Sequence, residues 1–454
     1  MKPDVPKWVM PAFRFPGKWL VLGFFLFYAL TLKAQQEKLD FRTTDSLSLK
    51  YYLTGEWDSL IWVGKASGLD YYWLNARMGY AWYARGKYGR ALRYFKKALI
   101  NNAADPFSLE FYAYSCMSLG FSEQTSAALG DIVQSNPERQ YPLSPYPQSG
   151  AGGGFLLSTA SSVLNPSEID KESNIYGEAA LPGSGPYFYG NGSLALSPKL
   201  ILTPGFSYLK THNPFRAAKA DTLLFSADNT YHETNLHLTM TWVPRLCWTV
   251  QSYLRLSGMN YEFSTVSYNP IHNSFSLATN KRKITDYAAG LKLTRYFGDL
   301  VISTDASWHS EYDSSFTQAG INLYFYPFSD SRLIYGAGLF SSFRKNTNPG
   351  LAINQSLSLN LLKNLWLTGA FTLGNIEHKS FADGWIIYNA DFKISRTTSL
   401  SILLNLSQSI SASVQWTNLK CKGQGIYYSS FTDIMFQDFA YYKNSLSLSI
   451  YWKW

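Results

Sequence analysis

Asp305 and His309 lie four residues apart in a serine-rich run, the residue types from which a Ser/His/acid hydrolase is built. The local period there is two, because Leu300, Ile302, Ala306 and Trp308 alternate with Ser303, Asp305, Ser307 and His309. Four residues along a strand separate side chains by roughly 13 Å, too far for a shared hydrogen bond. No catalytic residue is assigned, and the chain is expected to be non-enzymatic, with a lipid-modifying outer-membrane enzyme as the remote alternative. His212, His232, His237, His272, His309 and His378 are dispersed without ligand spacing, so neither a metal nor a cofactor is expected. Three cysteines, Cys116, Cys247 and Cys421, are far apart in sequence and odd in number, which excludes a disulfide framework. Cys116 reads as a buried helix residue, Cys247 as facing a barrel lumen and Cys421 as part of an outer loop. Gly152 to Gly154 lack the strand-to-helix context and the lysine of a phosphate cradle.

The remaining ionisable residues gain meaning only from the elements that carry them. Asn235, His237, Thr239 and Thr241 alternate with Leu236, Leu238, Met240 and Trp242, and the runs around 246–256, 300–309 and 386–394 repeat that pattern. Such runs reach the roughly 9 to 11 residues of a transmembrane strand. On the polar face stand Arg255, Asp286, Lys292, Asp305, Asp391 and Lys393, together with His309 and Glu311. Charges of mixed sign inside a barrel are expected to pair with one another, whereas a selective path carries one sign. Lys281-Arg282-Lys283 reads as an outer-loop run, solvated or touching lipopolysaccharide phosphate.

Short connections at Pro198-Lys199, Gly298-Asp299, Ser329 to Ser331, Lys363-Asn364 and Thr397-Thr398 alternate with longer polar ones near 211–227, 265–282, 345–350, 378–383 and 412–438. Short turns inside and longer loops outside mark outer-membrane barrels. In the last strand Leu446, Leu448, Ile450, Trp452 and Trp454 share one face, and Trp452 and Trp454 form a signal for the barrel-assembly machinery. Aromatic residues make up 17% and charged residues 16% of the 454, while mean hydropathy is only -0.15; this excludes a bundle of membrane helices and suits a barrel. The formal charge of +9 is partly in the export signal, and no long basic stripe points to nucleic acid.

Lys2, Lys7, Arg14 and Lys18 precede the apolar run Trp19 to Leu32 and then Ala34, the order of a cleaved secretory signal over residues 1–34. Residues 35–140 are expected to be a small helical domain in the periplasm, 141–172 a Pro/Gly linker, and 173–454 an antiparallel up-and-down barrel of about 14 strands, with 12 or 16 as alternatives. Phe155 to Leu164 alternates but is one strand too many for parity, and reads as a lumenal or periplasmic segment.

Within the helical segment Gly79, Trp82, Gly86, Tyr88, Ala91, Phe95 and Ala98 are spaced as in a tetratricopeptide unit, and Gly86 recurs as Gly120. The segment therefore resembles the tetratricopeptide repeat (TPR) family. The resemblance implies a concave face lined by Trp73, Ala76, Tyr80 and Tyr83, then Phe107, Glu110, Tyr114 and Met117. That groove would hold a peptide or a neighbouring protein; the same rings would equally serve to pack on the linker or the barrel rim. The whole architecture resembles YaiO-like and Slam-like barrel proteins, and also exopolysaccharide-export porins. It implies a non-enzymatic barrel in the outer membrane for export or surface assembly, whose repeats dock a periplasmic or surface client protein. The alternative is a channel or exopolysaccharide-export porin. Expected partners are outer membrane lipid, the barrel-assembly machinery and the client.

Overall fold

The computed structural model describes residues 39–135, 149–160, 176–180, 183–219, 222–269, 271–272, 274–311, 314–345, 347–376, 379–381, 386–388, 393–428 and 434–454. The expected signal, residues 1–34, lies outside them, as do Asp391 and His378.

The chain forms two compact units, Met1–Asp70 and Tyr71–Trp454. In the first, α1 (Phe41–Thr54) and α2 (Trp57–Ser67) form a helical pair. Asp40 caps α1 by accepting from the Thr43 N–H, and Gly55 ends it at φ +72°, a conformation that costs a side chain dearly.

The second unit opens with α3 (Tyr72–Ala84), α4 (Tyr88–Asn101), α5 (Pro106–Leu119) and α6 (Ser122–Ser135). Helices α3 and α5 open at 72 and 106, α4 and α6 at 88 and 122, so the second pair repeats the first at a 34-residue offset. Gly79 lets α4 come close, since a Cβ there would meet the Phe95 ring at 2.7 Å. Asp105 caps α5 through the Ser108 N–H at 2.8 Å, with Pro106 at the first helical position where its missing N–H costs nothing.

The rest of the unit is a closed antiparallel wall. Its strands are β1 (Gly150–Ala160), β2 (Tyr176–Ala180), β3 (Gly185–Asn191), β4 (Leu194–Ser197), β5 (Leu200–Lys219), β6 (Thr222–Trp242), β7 (Trp248–Asn269), β8 (Ser274–Tyr296), β9 (Leu300–Glu311), β10 (Ser314–Phe325), β11 (Leu333–Arg344), β12 (Gly350–Leu362), β13 (Leu365–Gly374), β16 (Lys393–Asn405), β17 (Ile410–Tyr428) and β18 (Ile434–Lys453). A separate hairpin, β14 (Lys379–Phe381) with β15 (Ile386–Tyr388), stands apart from that sheet. β2, β3 and β4 follow one another along β5 as one interrupted strand, which makes 14 positions around the wall. Closure is made by β1, which pairs with β3 on one side and β18 on the other.

The first wall strand thus lies in the stretch expected to be linker, and Phe155 to Ala160 belongs to the wall. Gly150 and Gly152 to Gly154 read as a loop, yet in β1 they make room for rings: a Cβ at Gly152 would meet Tyr189 at 2.8 Å and one at Gly154 would meet Tyr187 at 2.8 Å. Aromatic rings laid over strand glycines recover the burial that glycine cannot supply. Trp454 then donates its N–H to the Ser149 carbonyl at 3.0 Å, so both ends of the wall meet at the short-turn rim.

Four expected connections are instead wholly or mostly strand. Thr397-Thr398 lies inside β16, and most of the long polar connections near 211–227, 265–282 and 412–438 are extensions of β5 to β8, β17 and β18. Strands of 20 to 23 residues, tilted about 40°, rise roughly 50–60 Å, twice the apolar band of about 25 Å. Above the band Phe215 and Ala217 are buried beside Leu224, Phe225, Val266 and Leu277, a small core that holds the extension together.

Candidate functional site

Outward side chains of the wall are large, apolar and exposed: Leu236, Leu238, Leu254, Leu256, Leu291, Ile321, Leu339, Ile353, Leu400, Leu448 and Ile450 among them. Tyr287, Trp308 and Phe343 stand toward one rim of this band and Trp242, Phe297, Phe328 and Trp454 toward the other. In water so wide an apolar belt would drive aggregation; in a bilayer it is the lipid-facing surface with its aromatic girdles.

Inward side chains are polar and bonded to one another. Arg255 donates to Glu233 Oε1 at 2.9 Å and to Asn235 Oδ1 at 2.7 Å, while the Tyr231 hydroxyl donates to Glu233 Oε2 at 2.7 Å. Arg255 and Asp286 are each 9% exposed, and with Tyr231, Glu233, Ser257 and His309 they line a small cavity on the inner face. Lys292 stands opposite Asp305 across β8 and β9 on the inner face. Asp305 accepts from Asn322 at 3.2 Å, whereas His309 bonds Ser307 at 2.8 Å and stacks on Phe316 at 4.4 Å. The acid and the imidazole therefore have separate partners. Among the described residues no group of three or more His, Cys, Asp or Glu could hold a metal.

Lys393 departs from its expected place. A register shift between Ile394 and Arg396 reverses the alternation, so Ile394 is 1% exposed on the inner side while Lys393 is exposed on the other. Ile394 packs with Ala352, Ile376, Leu419 and Cys421. Cys421, read as an outer-loop residue, is thus a buried member of β17.

The most informative residues lie in a connection expected to be an outer loop. β14 folds against the inner wall instead. The Gln318 carboxamide brackets the Ser380 backbone, donating to its carbonyl at 2.8 Å and accepting its N–H at 2.9 Å, as a ladder rung would. Lys379 is fully buried, and its Nζ donates to Ser342 Oγ at 2.7 Å and to the Gly350 carbonyl at 2.9 Å. Gln318 and Ser342 point inward, since their neighbours Thr317, Ala319 and Phe343 are exposed on the outer face. The hairpin therefore narrows the lumen beside β10, β11 and β12.

At the short-turn rim, α4, α5 and α6 are fastened to the wall. Gln124, fully buried, accepts the Cys247 N–H at 2.7 Å and donates to the Trp248 carbonyl at 2.9 Å and to Thr249 Oγ1 at 3.1 Å. Arg93 pairs with Asp299 at 2.6 Å, Lys199 with Asp131 at 2.8 Å, and Gly89 donates its N–H to the Ser329 carbonyl at 3.0 Å. Cys247 and Ser329, the non-glycine residues with positive φ among the described residues, at +69° and +59°, both lie in turns that the helices grip. Left-handed backbone costs a side chain about 1–2 kcal/mol, which these hydrogen bonds offset. Cys247 thus belongs to a turn and to the helix seam rather than to the lumen.

Two cysteines that are distant in sequence meet here. The Tyr112 hydroxyl lies 3.3 Å from Cys247 Sγ, and Cys116 stands one turn along the same helix. Burial pushes the Cys116 thiol well above its ordinary range. It therefore stays protonated where an exposed thiol, near 8.5, ionises. Maleimide labelling of the folded protein is expected to modify none of the three buried cysteines, and Cys116 is expected not to label faster between about pH 7 and 9; denaturation should release all three. A native thiol that labels faster as pH rises would contradict this.

With the second helices of each pair on the rim, the aromatic face of the first helices is left uncovered by the wall. Trp73 and Met117 are 59% and 45% exposed, while Tyr80, Tyr83, Phe107 and Tyr114 are half-buried around Phe111. Phe111 lies 4.8 Å from Tyr80, 5.0 Å from Tyr83 and 4.9 Å from Phe107, which makes it the hub of the cluster. Ala76, in contrast, is buried.

Closed wall, apolar belt and polar interior define a transmembrane β-barrel of the outer-membrane class, preceded by a helical region. No family model matches the sequence, and no curated protein matches it. Solved structures with a similar form include a Pseudomonas aeruginosa FadL homologue at 8% identity, covering 67% of this chain and 89% of that one with a TM-score of 0.43. A mutant of the TodX monoaromatic hydrocarbon channel is similar at 8% identity, 71% and 94% coverage and a TM-score of 0.45. The Ralstonia pickettii toluene transporter TbuX follows at 9%, 67% and 89%, and 0.33. These values describe likeness of barrel form.

Proposed function

We propose that the protein is a non-enzymatic outer-membrane channel, with its short-turn rim and docked helices in the periplasm and a lumen narrowed by the β14–β15 hairpin. The observation that carries this reading is the hairpin itself, held inside a polar wall by Gln318, Ser342 and Gly350. A backbone segment hydrogen-bonded to the inner wall takes up part of the width that a path would have. Inward charges are of both signs, Arg255, Lys292 and Lys379 beside Glu233, Asp286 and Asp305, and suit an uncharged polar or zwitterionic solute better than an ion of one sign. In planar bilayers the full chain is expected to conduct in stable steps with little preference between cation and anion. A barrel that stays silent even after the hairpin is released would refute the channel.

The half-exposed cluster around Phe111 favours a second role for the same protein, the docking of a periplasmic client on the helical region. Tyr83→Ala with Phe111→Ala is expected to abolish capture of that client by the full chain while leaving conductance intact; unchanged capture removes the role.

A further inference from the structure

The basic run expected in a loop lies in β8, where alternation sends Lys281 and Lys283 to the outer face and Arg282 to the other. Cross-strand register fixes their height. Phe206, Leu236, Leu256 and Tyr287 form one outward rung at the upper edge of the apolar belt. Two rungs higher stand Lys210, His232, Asn260 and Lys283; above them His212 pairs with Thr230 and Glu262 with Lys281, and the Thr230 hydroxyl donates to Glu262 at 2.7 Å. Lys281 is 81% exposed and pairs with Glu262 at 3.0 Å, and Asp228 lies 3.3 Å from His212, so three lysines face two carboxylates. The Thr230 N–H also donates to Glu262, at 3.1 Å.

A second feature lies directly below. Ala289, Ala306 and Ala319 are small outward residues in a belt otherwise made of large ones, and Ala306 stands opposite Ala319 in register. They floor an open, shallow furrow on the outer wall, flanked by Leu254, Trp308 and Phe343. Six residues of β8 separate Ala289 from Lys283, roughly 20 Å along the strand and about 15 Å along the membrane normal, close to the depth of one leaflet.

We propose that this wall holds a phosphorylated lipid of the outer leaflet, with an acyl chain in the alanine furrow and its headgroup phosphate on Lys283, Lys281 and Lys210. The inference rests on the orientation proposed above, in which the long strands face outward. Lysine at the interface attracts anionic headgroups, and the furrow replaces large side chains with space for a chain.

The test is native mass spectrometry of the full-length barrel, delipidated in detergent and offered phosphatidylglycerol, diacylglycerol of the same chains, or inorganic phosphate. Phosphatidylglycerol is expected to stay bound and the other two to wash away. Lys281→Gln with Lys283→Gln, and separately Ala306→Leu, are each expected to lower retention roughly tenfold or more. Both changes lie on the lipid-facing side, so heat-modifiable migration should stay normal. Equal retention of diacylglycerol would reduce the furrow to an ordinary apolar wall, equal retention of phosphate would reduce the lysines to an anion patch, and unchanged retention in either variant would remove that half; each result overturns the proposal. Retention in detergent reads neither conductance nor orientation. A silent barrel that still holds its lipid leaves the lipid site standing while the channel falls.

Discussion

Truncation after Lys443 is expected to leave no folded, heat-modifiable barrel in the membrane. The lost segment carries the register from Asn444 to Lys453 that joins β18 to β1 on one side and β17 on the other. Two strand edges would then meet hydrocarbon, where each unpaired backbone group costs several kcal/mol. No rearrangement of the remaining strands satisfies them, because β1 has only β3 left to pair with. Electrophoresis with and without boiling gives the readout, and a truncated chain that still shifts its mobility would overturn the assignment of β1 and β18 as the closing pair. A milder form, Ile450→Lys, places a charge on the lipid face and is expected to cost about 2–4 kcal/mol of barrel stability if it lies near the midplane. The same last strand, ending on Trp452 and Trp454, is the segment we propose the barrel-assembly machinery recognises.

Release of the hairpin has the second large effect. Gln318→Ala with Lys379→Ala removes four hydrogen bonds between β14 and the wall. At about 1 kcal/mol each they sum to about 4 kcal/mol, a factor of roughly 10³ in the balance between held and released hairpin. The double variant is expected to conduct severalfold more than the native protein in planar bilayers and to flicker less between levels. Lys379→Met alone keeps the bulk and loses the charge, and should fall between the two. Equal conductance in native protein and double variant would show that the hairpin does not limit the path.

Legibility in the sequence followed the range of the forces concerned. Period-two alternation over Leu236 to Trp242 and Leu446 to Trp454 made the wall readable, since each residue reports locally on lipid or lumen. The helix pairs were readable for the same reason, from Gly79 and Phe95 in the first pair and from Gly86, which recurs as Gly120. Where a local rule met a long-range partner, reading failed. Gly152 to Gly154 look like a loop until Tyr187 and Tyr189 lie over them. Thr397-Thr398 looks like a turn until β13 and β17 pair on both sides of it. Lys393 looks lumenal until one bulge reverses its strand.

The sequence by itself determined the membrane barrel and the helical region ahead of it, because periodicity is a property of neighbours along the chain. Only the tertiary structure decided which strand closes the wall, where the helices grip the rim through Gln124, and that the segment at Lys379 and Ser380 turns inward. Each depends on a pairing between residues tens to hundreds of positions apart. Such partners are selected by the geometry of the closed barrel, and no local pattern announces them.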